Sequence, residues 1–370
     1  MPLAGGVAAL LLLTLAIWAW SRGVPREAWS HRTSRITTAP LVVGEVVVLG
    51  NVENEIIALD AAGGDALWQA QPASMRFVAD GLLHHGEHVF LLDGGRALRA
   101  LRLTDGAQAW RFESQGRLTR PAVIDDHLLV GEGNTIRWID PLTGRTRRTF
   151  EGEDRSTMAQ PSSIGGLLVA GFAATAQRVY PSIRQSIPGG LCAFDAEGDV
   201  AWSTPLPSLV VHAPTPGSGR AYAVAHSSGR LYAIEASTGK VLWDVGGGDT
   251  DVATGTAMLW RGRLDVQRSR AAMEAIHPES GEVVHQHEFT VVVPEPLRRK
   301  GVEPSITAPC IAEGRVYFGC LDALYCLDEA SGALLWTFPV AGRIELAPST
   351  ADGRVFVVTT AGTIHAIVVR

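Results

Sequence analysis

Leu324 to Trp336 reads LYCLDEASGALLW, and the same pattern returns along the chain as IIALDAAGGDALW (Ile56 to Trp68), RALRLTDGAQAW (Arg99 to Trp110) and LYAIEASTGKVLW (Leu231 to Trp243). Each copy is a short apolar run, an acidic or polar turn that closes on glycine, and a tryptophan four residues later. Weaker copies run from Arg137 to Arg148, Leu191 to Trp202 and Glu274 to His285, and an eighth, Ile364 to Val369, stops at the chain end. The turn glycines are Gly64, Gly106, Gly144, Gly198, Gly239, Gly281 and Gly332. A second marker has the same period: Pro40, Gly81, Pro121, Pro161, Pro214, Ala257, Pro309 and Pro348 precede the copies. Steps of roughly 40 residues are those of a four-stranded propeller blade.

The seventh unit shows how one blade is built. Strands are expected at Ile306 to Ile311, Arg315 to Gly319, Ala323 to Asp328 and Ala333 to Phe338, each rich in β-formers and separated by turn residues. Proline at the start of the first strand suits an inner edge, where a missing N–H is tolerated. The residue before each Leu, Ile or Phe is Ala58, Ala100, Trp138, Ala193, Ala233, Ala275, Cys326 or Ala366, which marks a tight inter-sheet contact. In the eighth unit, strands are expected at Glu345 to Ser349, Arg354 to Thr359 and Thr363 to Val368, and a fourth is missing. Trp29 lies 39 residues before Trp68, in phase with the tryptophan series, so the stretch from Arg26 to His31 is predicted to supply it. Pairing the two chain ends leaves no open sheet edge. The expected fold is therefore an all-β, eight-bladed propeller over 25–370, with the tryptophans packing blade against blade.

Residues 1–24 are of another kind. Val7 to Trp20 (VAALLLLTLAIWAW) is unbroken apolar sequence, and with Leu3 onward it reaches about 18 residues, the short end for a spanning helix. It reads as a signal-anchor or as a signal peptide with a small-x-small site at Ala19-Trp20-Ser21. Charges follow it at Arg22, Arg26, Arg32 and Arg35. A formal net charge of −6 speaks against a general nucleic-acid binder.

The blade pattern, as in GRVYFGCLDALYCLDEASGALLW and SGRLYAIEASTGKVLW, resembles the pyrroloquinoline-quinone-type propeller repeat, from Arg26 to Arg370. That family includes quinoprotein dehydrogenases, which hold the quinone and calcium over the propeller axis, and non-catalytic BamB-like propellers. The dehydrogenases resemble one another in an adjacent cysteine pair, and the haem-bearing ones in Cys-x-x-Cys-His; this chain has neither. Its cysteines, among them Cys192, Cys310 and Cys326, read as buried free thiols. The resemblance thus implies a non-catalytic scaffold in the cell envelope that binds a protein partner, without quinone or calcium. It also implies an exported or inner-membrane-anchored propeller on the periplasmic side. A quinone-dependent dehydrogenase, or a degenerate relative holding a small anion, is the alternative.

Candidate sites fall in two places. The inner strand starts carry Arg76, Arg120, Gln160, His212, Thr307 and Glu345, a mostly cationic rim for the central channel. Two steps of the repeat are long: Phe172 to Pro188 is added between the second and third strands of blade four, and Thr290 to Pro304 between blades six and seven. In up-and-down blades both connections emerge on one face, and both are basic, with Arg178 and Arg184 beside Tyr180 in one and Arg298, Arg299 and Lys300 in the other. Loops on a rigid scaffold are where binding concentrates. By contrast His84, His85 and His88 fall at a turn of blade two and read as solvated, His285 replaces a tryptophan and reads as packing, and the glycines at 246–248 precede no helix that would cradle a phosphate.

Overall fold

Eight four-stranded antiparallel sheets follow one another around a ring. A computed structural model describes residues 24–71, 81–151, 157–173, 188–210, 212–225, 228–246, 250, 253–255, 258–265, 270–290 and 305–369. Blade one is Leu41–Val43, Val46–Gly50, Ile56–Asp60 and Ala66–Ala70, paired in that order. Blades two to seven repeat this order over 83–113, 122–151, 157–206, 215–245, 253–290 and 310–339. Blade eight takes Ser349–Ala351, Arg354–Val358 and Thr363–Val368 from the C-terminus and Arg26–Arg32 from the N-terminus. Trp29 faces Ala366 in that pairing, so the phase of the tryptophan series gave the closure correctly.

The repeated slots have direct geometric meanings. The alanine slot of the third strand stands opposite the tryptophan slot of the fourth: Ala58 faces Trp68, Ala100 Trp110, Ala193 Trp202 and Ala233 Trp243. A small residue leaves room for the indole, which crosses to the next blade. There it lies on the turn glycine. A Cβ added at Gly64, Gly106, Gly144 or Gly239 would come within 2.5–2.6 Å of the ring of Trp29, Trp68, Trp110 or Trp202, and all four glycines have positive φ. The indole N–H then donates to the carbonyl three residues before that glycine: Trp29 to Ala61 at 3.1 Å, Trp68 to Leu103 at 2.7 Å, Trp110 to Pro141 at 2.9 Å and Trp202 to Ala236 at 2.8 Å. One side chain thus fills a blade interface and satisfies a turn carbonyl.

Where the slot is not tryptophan, other residues supply the ring. In blade three Arg148 stands there and donates to the Ala196 carbonyl, while Phe150 lies on Gly198. Trp138 occupies the alanine slot and packs on Phe150 at 5.3 Å between centroids. In blade six His285 contacts Gly332, and the fully buried Trp260 of the second strand fills the remaining volume.

Two details depart from the sequence expectation. The first strands are shorter and begin later: Cys310–Ala312 and Ser349–Ala351, with Ile306 and Ile344 making only isolated bridges to Cys320 and Thr359. Pro309 and Pro348 lie in between and carry no N–H for the ladder. Every fourth strand also contains a β-bulge one residue before its tryptophan slot, and the extra residue is exposed in all eight blades: Ala28, Leu67, Ala109, Arg147, Ala201, Leu242, Val284 and Leu335.

Candidate functional site: the inner rim and the insertion face

Strand direction assigns each connection to a face. The starts of the first strands, the turns between second and third strands, and the connections between blades share one face, called here the insertion face. Turns between first and second, and between third and fourth strands, share the other. The long connections at 174–188 and 291–309 are bracketed by strands that end on the insertion face. Arg178, Tyr180, Arg184, Arg298, Arg299 and Lys300 themselves, and Arg76 of the rim, lie outside the described residues.

At the inner rim a threonine recurs with one task. A backbone amide of the second strand donates to a threonine hydroxyl twelve residues earlier: Gly50 to Thr38 at 2.8 Å, Gly131 to Thr119 at 2.8 Å, Gly262 to Thr250 at 2.7 Å and Gly319 to Thr307 at 2.9 Å. Thr307 is buried, so its hydroxyl closes the blade in place of a ladder bond and does not open onto the channel. The Thr-Gly pair at spacing twelve is a signal that the sequence itself carries.

The other rim residues are also engaged in structure. Gln160 donates from blade four to the Pro121 carbonyl of blade three at 3.1 Å, and Thr254 and Ser349 bind the Pro216 and Pro40 carbonyls of neighbouring blades. These bonds stitch the inner strands together. Glu345 is clamped between Arg35 at 3.3 Å and Arg343. Arg120 and His212 are half-buried on the same rim.

Farther out on the insertion face, carboxylates at or near the second-to-third-strand turns are held by arginines. Asp93 receives Arg99 at 2.6 Å with both side chains nearly buried, and Arg111 approaches at 3.8 Å. Burial would raise the Glu132 carboxyl, but hydrogen bonds from Ser114, the Gly116 amide and Arg137 hold it below the ordinary carboxylate range. In blade six the pair lies within the strands and not at the turn: the buried Arg261 pairs with Glu274 at 3.0 Å and donates to the Gly246 carbonyl of blade five at 2.9 Å. Each pair is satisfied within or between blades, as buried charge requires.

The remaining motifs resolve into packing or solvent. His84 and His85 sit at the first turn of blade two, where His84 bonds to the Gly86 carbonyl and His85 lies 3.6 Å from Asp126 of blade three, but His88 opens the second strand and, against the expectation of a solvated residue, is buried with its ring 6.0 Å from that of Phe90. Among the described residues no group of three histidine, cysteine, aspartate or glutamate side chains is arranged to hold a metal ion. Cys310 and Cys326 lie on opposite sides of Tyr317 and all four cysteines are free. Burial pushes the Cys320 and Cys326 thiols up to about 12. Among the described residues no helix is long and apolar enough to cross a membrane; residues 1–23 lie outside them.

Known proteins share both this architecture and its repeat. Outer membrane protein assembly factor BamB of Escherichia coli (strain K12) is 24% identical over 157 residues, 40% of this chain and 39% of that protein. The match therefore spans about two fifths of that relative. Among solved structures, BamB from Moraxella catarrhalis superposes with a TM-score of 0.67 at 15% identity, over 93% of this chain and 98% of that one. Quinohemoprotein alcohol dehydrogenase from Comamonas testosteroni does so at 0.68 and 13%, over 93% and 76%. At such identities these likenesses speak for the fold. The family model described as outer membrane protein assembly factor BamB matches residues 17–159, 132–318 and 294–369, nearly the whole ring. With eight blades of the same repeat around one axis, the chain belongs to the BamB family of PQQ-like β-propellers.

Proposed function

We propose that this propeller is a non-catalytic scaffold of the cell envelope, held at the inner membrane by its N-terminal apolar segment or exported to the periplasm, and that it binds a protein partner through its insertion face. The observation that carries this reading is the separation of regular from irregular positions. The recurring aromatic, glycine and threonine positions serve blade packing, whereas both basic insertions connect strands that end on a single face. Such a partition gives a rigid platform with variable loops. The BamB relatives, named as outer membrane protein assembly factors, support a reading in which this chain works with other proteins.

A quinone-dependent dehydrogenase, or a degenerate relative binding a small anion, is the second reading, favoured by the dehydrogenase likeness. What speaks against a quinone with calcium is the rim itself. Glu345 already holds two guanidinium groups, and the Thr307 hydroxyl is occupied by the Gly319 amide, which leaves neither as a ready oxygen ligand for a hard cation.

The experiment is affinity purification of the full chain from membranes, as wild type and with Arg298, Arg299 and Lys300 neutralised together. A stoichiometric partner that is recovered with wild type and lost with the triple variant supports the scaffold; no partner with either form overturns it. Adding pyrroloquinoline quinone and calcium tests the second reading, which requires a bound chromophore.

A further inference from the structure

On the insertion face, guanidinium groups gather around one turn of blade two. Asp93-Gly94-Gly95-Arg96 joins its second and third strands, and the connection to blade three folds back over it: the Ser114 amide donates to the Arg96 carbonyl at 2.8 Å and the Leu118 amide to the Gly95 carbonyl at 2.7 Å. That fold-back lays Arg117 on the turn, with Nε, Cζ and Nη2 of its guanidinium 3.6–3.9 Å from where a Cβ on Gly95 would sit. The carboxylates nearby are already engaged. Asp93 is held by Arg99 and approached by Arg111, Glu113 is paired with Arg111, and Glu132 takes Arg137, Ser114 and the Gly116 amide. Arg96 and Arg117 are exposed, and neither side chain has a hydrogen-bond or ion-pair partner among the described residues.

Equivalent places on the same face are different. Among the described residues, the corresponding turns carry Glu53 and Glu55 in blade one, Gly133 and Asn134 in blade three, Asp322 in blade seven and Thr360 in blade eight. Arg230, which follows the turn of blade five, is paired with Asp244. The connections into blades eight and one carry Arg343 and Arg35, which share Glu345. Arg32, at the end of the N-terminal strand, is a single exposed cation. Two unpartnered arginines on one turn occur, among the described residues, at blade two alone.

We propose that Arg96 and Arg117 receive an acidic segment of the protein partner. The inference rests on the scaffold reading and gives its partner a chemistry. Two guanidinium groups held at one turn without an acceptor repel each other, and a carboxylate that binds both relieves that repulsion. The planar fork of arginine matches a carboxylate with two parallel hydrogen bonds. Their backbone is fixed by the bonds between turn and connection, so little ordering is left for the moment of binding. A protein segment is favoured over anionic lipid by the direction of the chain: Arg26–Arg32 begins on the opposite face, so the apolar segment before it leaves away from Arg96 and Arg117.

The test uses the full chain in detergent micelles with fluorescein-labelled decaglutamate as the probe, read by anisotropy. The expected result is a dissociation constant raised on the order of tenfold by Arg96→Gln with Arg117→Gln, the size of two exposed charge pairs. Arg145→Gln with Lys240→Gln removes the same charge from exposed turns of the opposite face and should change it less than twofold. Equal weakening by both double variants overturns the proposal, because net charge alone then explains binding. Soluble dihexanoylphosphatidylglycerol is the second probe; if its binding falls with Arg96 and Arg117 while that of decaglutamate does not, the site takes a lipid headgroup and the proposal fails. Purification from membranes separates this inference from the reading beneath it. A stoichiometric partner lost with Arg96→Gln and Arg117→Gln but kept with Arg145→Gln and Lys240→Gln supports the site. A partner retained at wild-type yield by the first variant overturns the site and leaves the scaffold standing, whereas no partner with any form overturns both.

Discussion

Replacing Trp29 by alanine should release one strand and leave the other blades in place. Trp29 is the only tryptophan of the blade series that acts on the N-terminal strand: it covers Ala366, lies on Gly64 and binds the Ala61 carbonyl. An indole buries about 200 Å², so even partial loss at about 25 cal/mol per Å² removes some 2–3 kcal/mol, and the lost hydrogen bond adds about 1. The sum, about 3 kcal/mol, is on the order of a 100-fold rise in the open state of that strand, since 1.4 kcal/mol is a factor of ten. The remaining contacts of Arg26–Arg32 are modest, because most of its side chains face solvent. Hydrogen exchange reads the result at the alternate amides of Thr363–Val368 that bond to Arg26–Arg32, which lose protection when that strand lifts, while those bonded to Arg354–Val358 and the second strands of blades two to five keep theirs. Trp110→Ala, in a blade with no chain break, should instead lower protection across neighbouring blades. If Trp29→Ala leaves exchange in Thr363–Val368 within a factor of three of wild type, the indole is not what holds the ring closed.

Three further outcomes follow from the same geometry. Gly144→Ala places a methyl 2.6 Å from the Trp110 ring at a φ of +68°, whereas Gly133→Ala has a φ of +63° and open space around it; thermal denaturation should show a loss of about 1 kcal/mol for Gly133 and about 2–4 kcal/mol for Gly144. Thr307→Val strands the Gly319 amide in the interior and should cost about 1–3 kcal/mol in urea unfolding. A hydrogen bond from His365 leads the causes that hold the Glu27 carboxyl below its usual range; a depressed carboxylate stabilises above its unfolded pKa and loses that contribution as pH falls through the lower folded value, so Glu27→Gln should flatten the acid limb of the stability curve below about pH 4.5.

The fold was legible because its signal is periodic and redundant. Tryptophan, alanine, glycine and proline each keep the same step, and the step alone placed Trp29 opposite the last strand. The first strands were drawn too long, for a reason that lies outside β-propensity: a threonine hydroxyl takes the amide that a ladder carbonyl would otherwise take, and a proline follows. Substitute packing was legible only in part. His285 could be read as filling a tryptophan slot, but nothing local says that Trp260, two strands inward, supplies the missing volume. The rim residues looked like a ligand ring because their sequence position faces the axis. Their hydrogen bonds from Gln160 to Pro121 and from Arg35 to Glu345 cross between blades, and such contacts are invisible without coordinates.

The bulge in every fourth strand separates what the fold requires from what it permits. An extra residue adds local twist and pushes its own side chain off the ladder. It therefore makes no demand on the neighbouring blade, unlike the tryptophan that follows it. In a slot free of packing, composition reports what the outer wall meets. Blades two, four and eight carry alanine there and blade three Arg147, but blades one, five, six and seven carry Leu67, Leu242, Val284 and Leu335, all exposed. A solvent-facing aliphatic contributes nothing to the ring. Asparagine at any of these four positions should leave unfolding within about 0.5 kcal/mol of wild type, the ordinary range for a surface change. A loss of about 2 kcal/mol at Leu335, the size of a buried aliphatic side chain, would show that the slot is part of the core after all, and that its leucine is accounted for by folding.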